Sequence, residues 1–212
     1  MSRIRKRATI VPSHITVQID TREKYPIPFP RNIRIADPDV QFRTRLIPVR
    51  TEKAKLDKGD YRLKEFPDDC VIERKGSPLE IYKNFFDKKD QIRSAKAFRR
   101  LSTVKFPYLL LEMTPANLTS PSLSRIAPYY NAEKMMHRLS LVISKYGLNV
   151  MWVPKSNSTK VRRVTGQMLL HLMLGYALRE LTQVPLNLDN LNSVVPDYCV
   201  TAGKLPEMGG SR

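Results

Sequence analysis

The 212-residue chain is 42% hydrophobic and 27% charged, which suits one packed domain and excludes a disordered or fibrous chain. Lys and Arg number 37 against 20 Asp and Glu, a formal net charge of +17; such an excess favours a polyanionic partner, DNA above all, because neutralising phosphates releases counterions whatever the base sequence. The two cysteines, Cys70 in an apolar run and Cys199 in a polar C-terminal segment, form neither a disulfide framework nor a zinc-type pair. Free thiols in an intracellular reducing compartment, cytoplasm or nucleus, are expected.

The opening "MSRIRKRATIVPSHI" carries Arg3, Arg5, Lys6 and Arg7 and no acidic residue. Its apolar part is too short for a secretory signal, so residues 1–14 read either as a basic DNA-contacting arm or as an organelle import segment. "ITVQI" (15–19) predicts a buried strand ending at Asp20. The proline-rich 24–39 reads as loop. "RTRLIPVR" (43–50) predicts a second strand, with Pro48 implying an edge or an irregularity. "YRLKEF" and "CVIERK" around "PDD" predict a hairpin.

Ser77, Pro78 and Glu80 spell a capping box that starts a helix running to about Leu101. "YLLLEM" (108–113) predicts a central strand, apolar on both faces. Residues 114–131 read as a loop long enough to carry function. A helix over 132–146, a strand over 148–153 and a helix over 158–181 follow. The apolar run 168–181 contains His171 and is shorter than the roughly 20 residues of a membrane span, so no membrane association is expected. His137, His171 and Trp152 read as structural. Residues 182–212 turn to Pro, Asn and Gly and read as a tail. The element order predicts a mixed α/β domain over 15–181, helices covering a central sheet.

Side chains alternate along a strand, so Glu73 and Lys75 share one face while Ile72 and Arg74 take the other. Hairpin pairing would carry Asp60 toward Glu73, and the end of the first strand would add Asp20. Three carboxylates beside a lysine repel one another unless a cation joins them. Mg²⁺ or Mn²⁺, held by Asp20, Asp60 and Glu73, is the expected cofactor, and phosphodiester hydrolysis the expected chemistry, with Lys75 orienting water or stabilising developing charge.

The spacing from "GD" (59–60) to "ERK" (73–75) resembles the PD-(D/E)xK nuclease core. The ordered set "IDTRE", "GDY", "VIERK", helix, "YLLLEM" resembles the nuclease domain of the XPF and Hef family, over roughly residues 15–181. That resemblance implies a restriction-endonuclease-like fold, Asp60 and Glu73 as metal ligands, Asp20 as a further carboxylate and Lys75 as the catalytic lysine. It also implies support from Arg22, Glu23 and Arg74, and polar helix positions near the cleft at Gln91 and Arg93. Two departures stand out. The family's final Asp falls on Leu79, with Glu80 beside it either substituting or serving the helix start. The family's helix-hairpin-helix module is not expected in the segment that follows the last helix.

DNA contacts are therefore expected from Arg3, Arg5, Lys6 and Arg7, from Arg125, Tyr129 and Tyr130 in the long loop, and from Lys160, Arg162 and Arg163 at the start of the last helix. Otherwise a DNA-binding partner protein would supply them. The leading expectation is a metal-dependent DNA endonuclease acting on branched or flapped DNA in repair, recombination or replication. A junction-resolving or restriction-like nuclease and a non-catalytic nuclease-like binding module are its rivals. A homodimer through the apolar part of the last helix (168–178) is a further expectation.

Overall fold

The computed structural model describes residues 12–36, 44–120, 123, 127 and 130–182. Seven strands form one sheet: β1 (Ile15–Asp20), β2 (Asn32–Ala36), β3 (Thr44–Ala54), β4 (Tyr61–Leu63), β5 (Phe66–Lys75), β6 (Phe106–Leu111) and β7 (Asn149–Trp152). Their order is β2-β3-β1-β4-β5-β6-β7. The β1–β3, β5–β6 and β6–β7 pairs are parallel and the others antiparallel. The described residues also form five helices: α1 (Pro78–Phe86), α2 (Lys88–Leu101), α3 (Pro115–Leu118), α4 (Ala132–Tyr146) and α5 (Thr159–Thr182). The mixed sheet flanked by helices is the α/β architecture expected, and the compact unit ends at Thr182.

Each face of the sheet has its own core. Ile15, Val17 and Ile19 of β1, Ile47 and Val49 of β3 and Leu110 of β6 pack under Leu169, Leu170, Met173, Leu174 and Ala177 of α5. On the opposite face Val71, Leu109 and Leu111 pack under Ile81, Phe85, Phe98, Leu101, Met135 and Leu139 of α1, α2 and α4. Neighbouring residues of β6 thus serve opposite cores, as a strand buried on both faces must. The buried face of α5 accounts for most of the apolar density that suggested a dimer; Val161, Val164 and Met168 stay exposed.

Several local expectations are corrected. Residues 32–36 form β2 rather than loop: Ile33 and Ile35 point inward and Arg34 outward, a period-2 pattern inside a proline-rich segment. β2 takes the edge, so β3 is interior, and Pro48 sits opposite Asn32 at the limit of their ladder. The hairpin turns at Lys64 and Glu65, with Leu63 opposite Phe66, so "PDD" lies within β5 and a register shift at Arg62/Leu63 absorbs it. The helix expected from Ser77 to Leu101 breaks at Asp87. That carboxylate accepts the Lys89 and Asp90 N–H groups and so caps α2, while the Asp87 N–H closes α1 on the Lys83 carbonyl.

A close approach anchors α5. A Cβ on Gly166 would lie 2.1 Å from the Pro28 carbonyl oxygen. Gly166→Ala is therefore expected to destabilise the fold by about 3 kcal/mol despite alanine's better helix propensity, read by urea denaturation. Unchanged stability would show that the loop yields without cost.

Candidate active site

The site begins at a left-handed glycine. Gly59 has φ 60°, and a Cβ there would fall 2.5 Å from Val71 Cγ1, so only glycine lets the chain press onto β5. The next residue, Asp60, is thereby fixed from both sides. Its N–H donates to the Ile72 carbonyl (2.8 Å), its carbonyl accepts the Asp20 N–H (2.9 Å), and its Oδ2 accepts the Arg74 N–H (2.7 Å). Glu73 follows on β5, and Lys75, two residues on and on the same face, donates from Nζ to Glu73 Oε1 at 2.8 Å. Lys75 also pairs with Glu80 Oε1 at 3.3 Å.

Glu80 performs both roles left open by the sequence. Its N–H donates to Ser77 Oγ (3.2 Å) and its Oε2 accepts the Gly76 N–H (3.0 Å), closing the start of α1, while Oε1 faces Lys75. Leu79 lies beside it, half-buried.

Asp60, Glu73, Lys75 and Glu80 line a cleft of about 690 Å³, together with Arg22, Lys24, Asp57, Lys58, Arg93 and Arg100. Six cationic side chains thus surround the two carboxylates of Asp60 and Glu73. Burial pushes the Asp60 carboxyl up to about 8, repulsion from Glu73 adds to it, and the Arg74 N–H and Lys75 oppose it. Burial alone would lower the Lys75 ammonium, but Glu73, Glu80 and Asp60 hold it above its ordinary value, so at neutral pH it is a cation and not a base.

Asp20, bonded through its N–H to the Asp60 carbonyl, has protein partners of its own. It is fully buried, and both oxygens are occupied: Oδ1 accepts the Arg22 N–H (2.7 Å) and Nε (2.8 Å), Oδ2 accepts Arg22 Nη2 and the Leu56 N–H, each at 2.9 Å. Burial would raise its pKa, but these donors lower it overall. Asp20 holds Arg22, which in turn feels the charges of Asp60 and Glu73. Among the described residues no three His, Cys, Asp or Glu side chains converge as a metal-binding group.

Arg74 and Glu23 lie outside the cleft lining, as supports. Arg74 donates to Glu23 Oε1 (3.1 Å) and from Nε to Glu112 Oε2 (2.9 Å), and its Nη2 also pairs with Glu112. Of the two polar helix positions, Arg93 lines the cleft, whereas Gln91 turns away and donates to the Phe85 carbonyl at 3.1 Å.

The expected DNA contacts divide. Arg162 donates to the Tyr25 and Pro26 carbonyls (2.8 and 3.1 Å) and so fastens α5 to a loop; Tyr130 packs against the core and donates to the Leu118 carbonyl at 2.7 Å. Both are half-buried and already bonded within the protein. Lys160 and Arg163 are exposed. Arg3, Arg5, Lys6, Arg7, Arg125, Tyr129 and Cys199 lie outside the described residues. Besides Lys75, the cleft cations are Arg22, Lys24, Lys58, Arg93 and Arg100; of these five only Arg22 and Arg93 were singled out in sequence, and those only as supporting positions. The i, i+7 spacing of Arg93 and Arg100 was the legible signal for one cationic face of α2. Cys70 is a free, buried thiol, pushed up to about 12 by burial. No described helix is long and apolar enough to cross a membrane.

Asp60 makes stability depend on pH. Its folded carboxyl titrates near 8, above the ordinary value near 4 of the unfolded chain. The folded state therefore binds this proton more tightly, a contribution complete at low pH and lost as pH rises from about 4 through 8. In chelator, Asp60→Asn should gain on the wild type over that range, by about 1–2 kcal/mol at pH 8.5 after allowance for water in the cleft. Denaturation at pH 5 and 8.5 reads it, and a constant difference would contradict the assignment.

No protein-family model matches the chain, and no curated protein does. Among solved structures, XPF from Aeropyrum pernix is similar at 16% identity and a TM-score of 0.48, over 92% of this chain and 75% of that one. The same protein in complex with DNA is similar at 16% identity and a TM-score of 0.45, over 92% and 76%.

Proposed function

We propose that the protein is a DNA nuclease that hydrolyses phosphodiester bonds with Mg²⁺ or Mn²⁺, acting on branched or flapped DNA. One observation carries the reading: Asp60 and Glu73, beside the permanently charged Lys75, open into a cleft with a cationic lining. The carboxylates suit a hard divalent cation, which needs only one or two of them because it keeps several waters. Asp60 Oδ1 and Glu73 Oε2 accept no hydrogen bond among the described residues, since Oδ2 and Oε1 take the protein donors. The repulsion that pushes Asp60 up is the repulsion such a cation would relieve. Asp60 and Glu73 would hold it, and its chemistry when bound is polarisation of a phosphoryl oxygen and acidification of water.

The chain's own contribution is electrostatic. Lys75 places an ammonium where negative charge develops, and Glu73 and Glu80 hold it there. Arg22, pinned by Asp20, adds a positive charge at the mouth. Arg93, Arg100, Lys58 and Lys24 would bind the phosphates of the flanking strand, a contact that positions DNA without reading its sequence.

Cleavage of end-labelled flap, fork, four-way junction and linear duplex with Mg²⁺ or Mn²⁺ tests this. The wild type should cut the branched substrates and Asp60→Ala should not. Binding of all four without cutting would leave a nuclease-like DNA-binding module, a reading for which Leu79, in place of an acidic residue, is the specific observation.

A further inference from the structure

A second cavity of about 300 Å³ lies between α1, α2 and α4. Its walls include Phe85, Phe98 and Tyr146, the last two with ring centroids 5.9 Å apart. Arg138 and Lys145, both exposed, stand at its rim. Asn84 and Ser94 line this cavity and the catalytic cleft alike. Asn84 is 6% exposed, and its Nδ2 is buried with no hydrogen-bond partner among the described residues. A buried amide donor without an acceptor is a liability to the fold, and this one stands on the wall between the cleft and an aromatic cavity.

We propose that this cavity receives an unpaired nucleobase of the DNA strand whose backbone runs through the cleft, with Asn84 Nδ2 donating to an acceptor on the base edge. The proposal rests on the nuclease reading and deepens it, since a substrate with an extruded or single-stranded base beside the cut would engage both sites. The volume stands at the lower end for ligand pockets, enough for one base. Aromatic walls and an amide are the usual means of holding an unstacked base. The rim cations match the strand's phosphates, and the shared wall of Asn84 and Ser94 sets the cavity directly beside the place where the strand would lie. The terminal torsion of asparagine is soft, so the amide can turn toward an arriving acceptor. An apolar side chain of a partner protein would match neither the orphan donor nor the cationic rim.

The test is binding of the full chain, in chelator so that nothing is cut, to blunt duplex, to a flapped duplex and to flaps carrying one abasic nucleotide at successive positions. Asn84→Ala and the cavity-filling Ala95→Leu should each weaken flap binding about tenfold and leave duplex binding within about twofold. One abasic position should reproduce that loss in the wild type and add nothing in Ala95→Leu. Asn84→Ala should melt no lower than the wild type, because a donor without a partner holds nothing together; a clear drop would mark a structural asparagine and overturn the proposal. Should Ala95→Leu fail to fold, Asn84→Ala and the abasic series decide alone. Folded variants that bind flap like the wild type, an equal loss on duplex and flap, or an abasic series without a position effect would each overturn it. In those cases persisting duplex binding leaves the nuclease reading standing, whereas a wild type that binds none of these DNAs removes both.

Discussion

Lys75→Met should lower DNA cleavage by about 10²- to 10³-fold while leaving DNA affinity within a few-fold, the size of effect seen when one preorganised donor to a developing negative charge is removed. Methionine keeps the length and packing of this buried side chain, 8% exposed, and takes away the charge. Glu73 loses its 2.8 Å partner, but Glu80, 42% exposed at the side chain, is compensated by water. The loss should appear in the rate of the chemical step under single-turnover conditions. Because Glu73, Glu80 and Asp60 keep Lys75 protonated through neutral pH, the remaining activity should keep the pH dependence of the wild type. Wild-type cleavage by Lys75→Met would remove Lys75 from the site, and a shifted pH profile would mean that it acts as a base.

Arg74→Met should have the largest effect on stability, about 3–5 kcal/mol. The guanidinium lies 11% exposed between Glu23 and Glu112, 10% and 6% exposed. Removing it leaves Glu23 without its cation and Glu112 with only the more distant Arg162, 3.9 Å away, in a poorly solvated place, which is far worse than never having buried the group. Urea denaturation reads the loss. Adding Glu112→Leu should recover a good part of it, and the departure from additivity measures the pair. A loss near 1 kcal/mol would show that water reaches the trio and screens it. Arg74 also presents the N–H that holds Asp60 Oδ2, so the same substitution should loosen the active site, visible as weaker cleavage by the folded fraction.

Much of this could be read locally. The period of two along "VIERK" is enough to place Glu73 with Lys75 and Arg74 away from them, and the structure keeps that division through the 2.8 Å pair and the Glu23–Arg74–Glu112 trio. The helix starting at Ser77 followed from its caps, since a cap is satisfied within four residues. The break at Asp87 went unread although its signal was equally local. Asp87 falls inside an apolar stripe that continues on both sides, and the stripe does not reveal a carboxylate turned back on its own backbone.

What the sequence determined by itself, then, is the chemistry available and the face on which each strand residue stands, because both follow from residue type and backbone period. The tertiary structure alone decided which groups meet. Asp60 reaches Glu73 through a glycine with no room for a Cβ and a bulged hairpin. Asp20, adjacent in space, is drawn off by Arg22 and the Leu56 N–H. Arg93 and Arg100 line the cleft because α2 packs beside α1. Each outcome is a competition among hydrogen-bond and ion-pair partners far apart in the chain, and sequence separation carries no record of which partner is nearest once the sheet has closed.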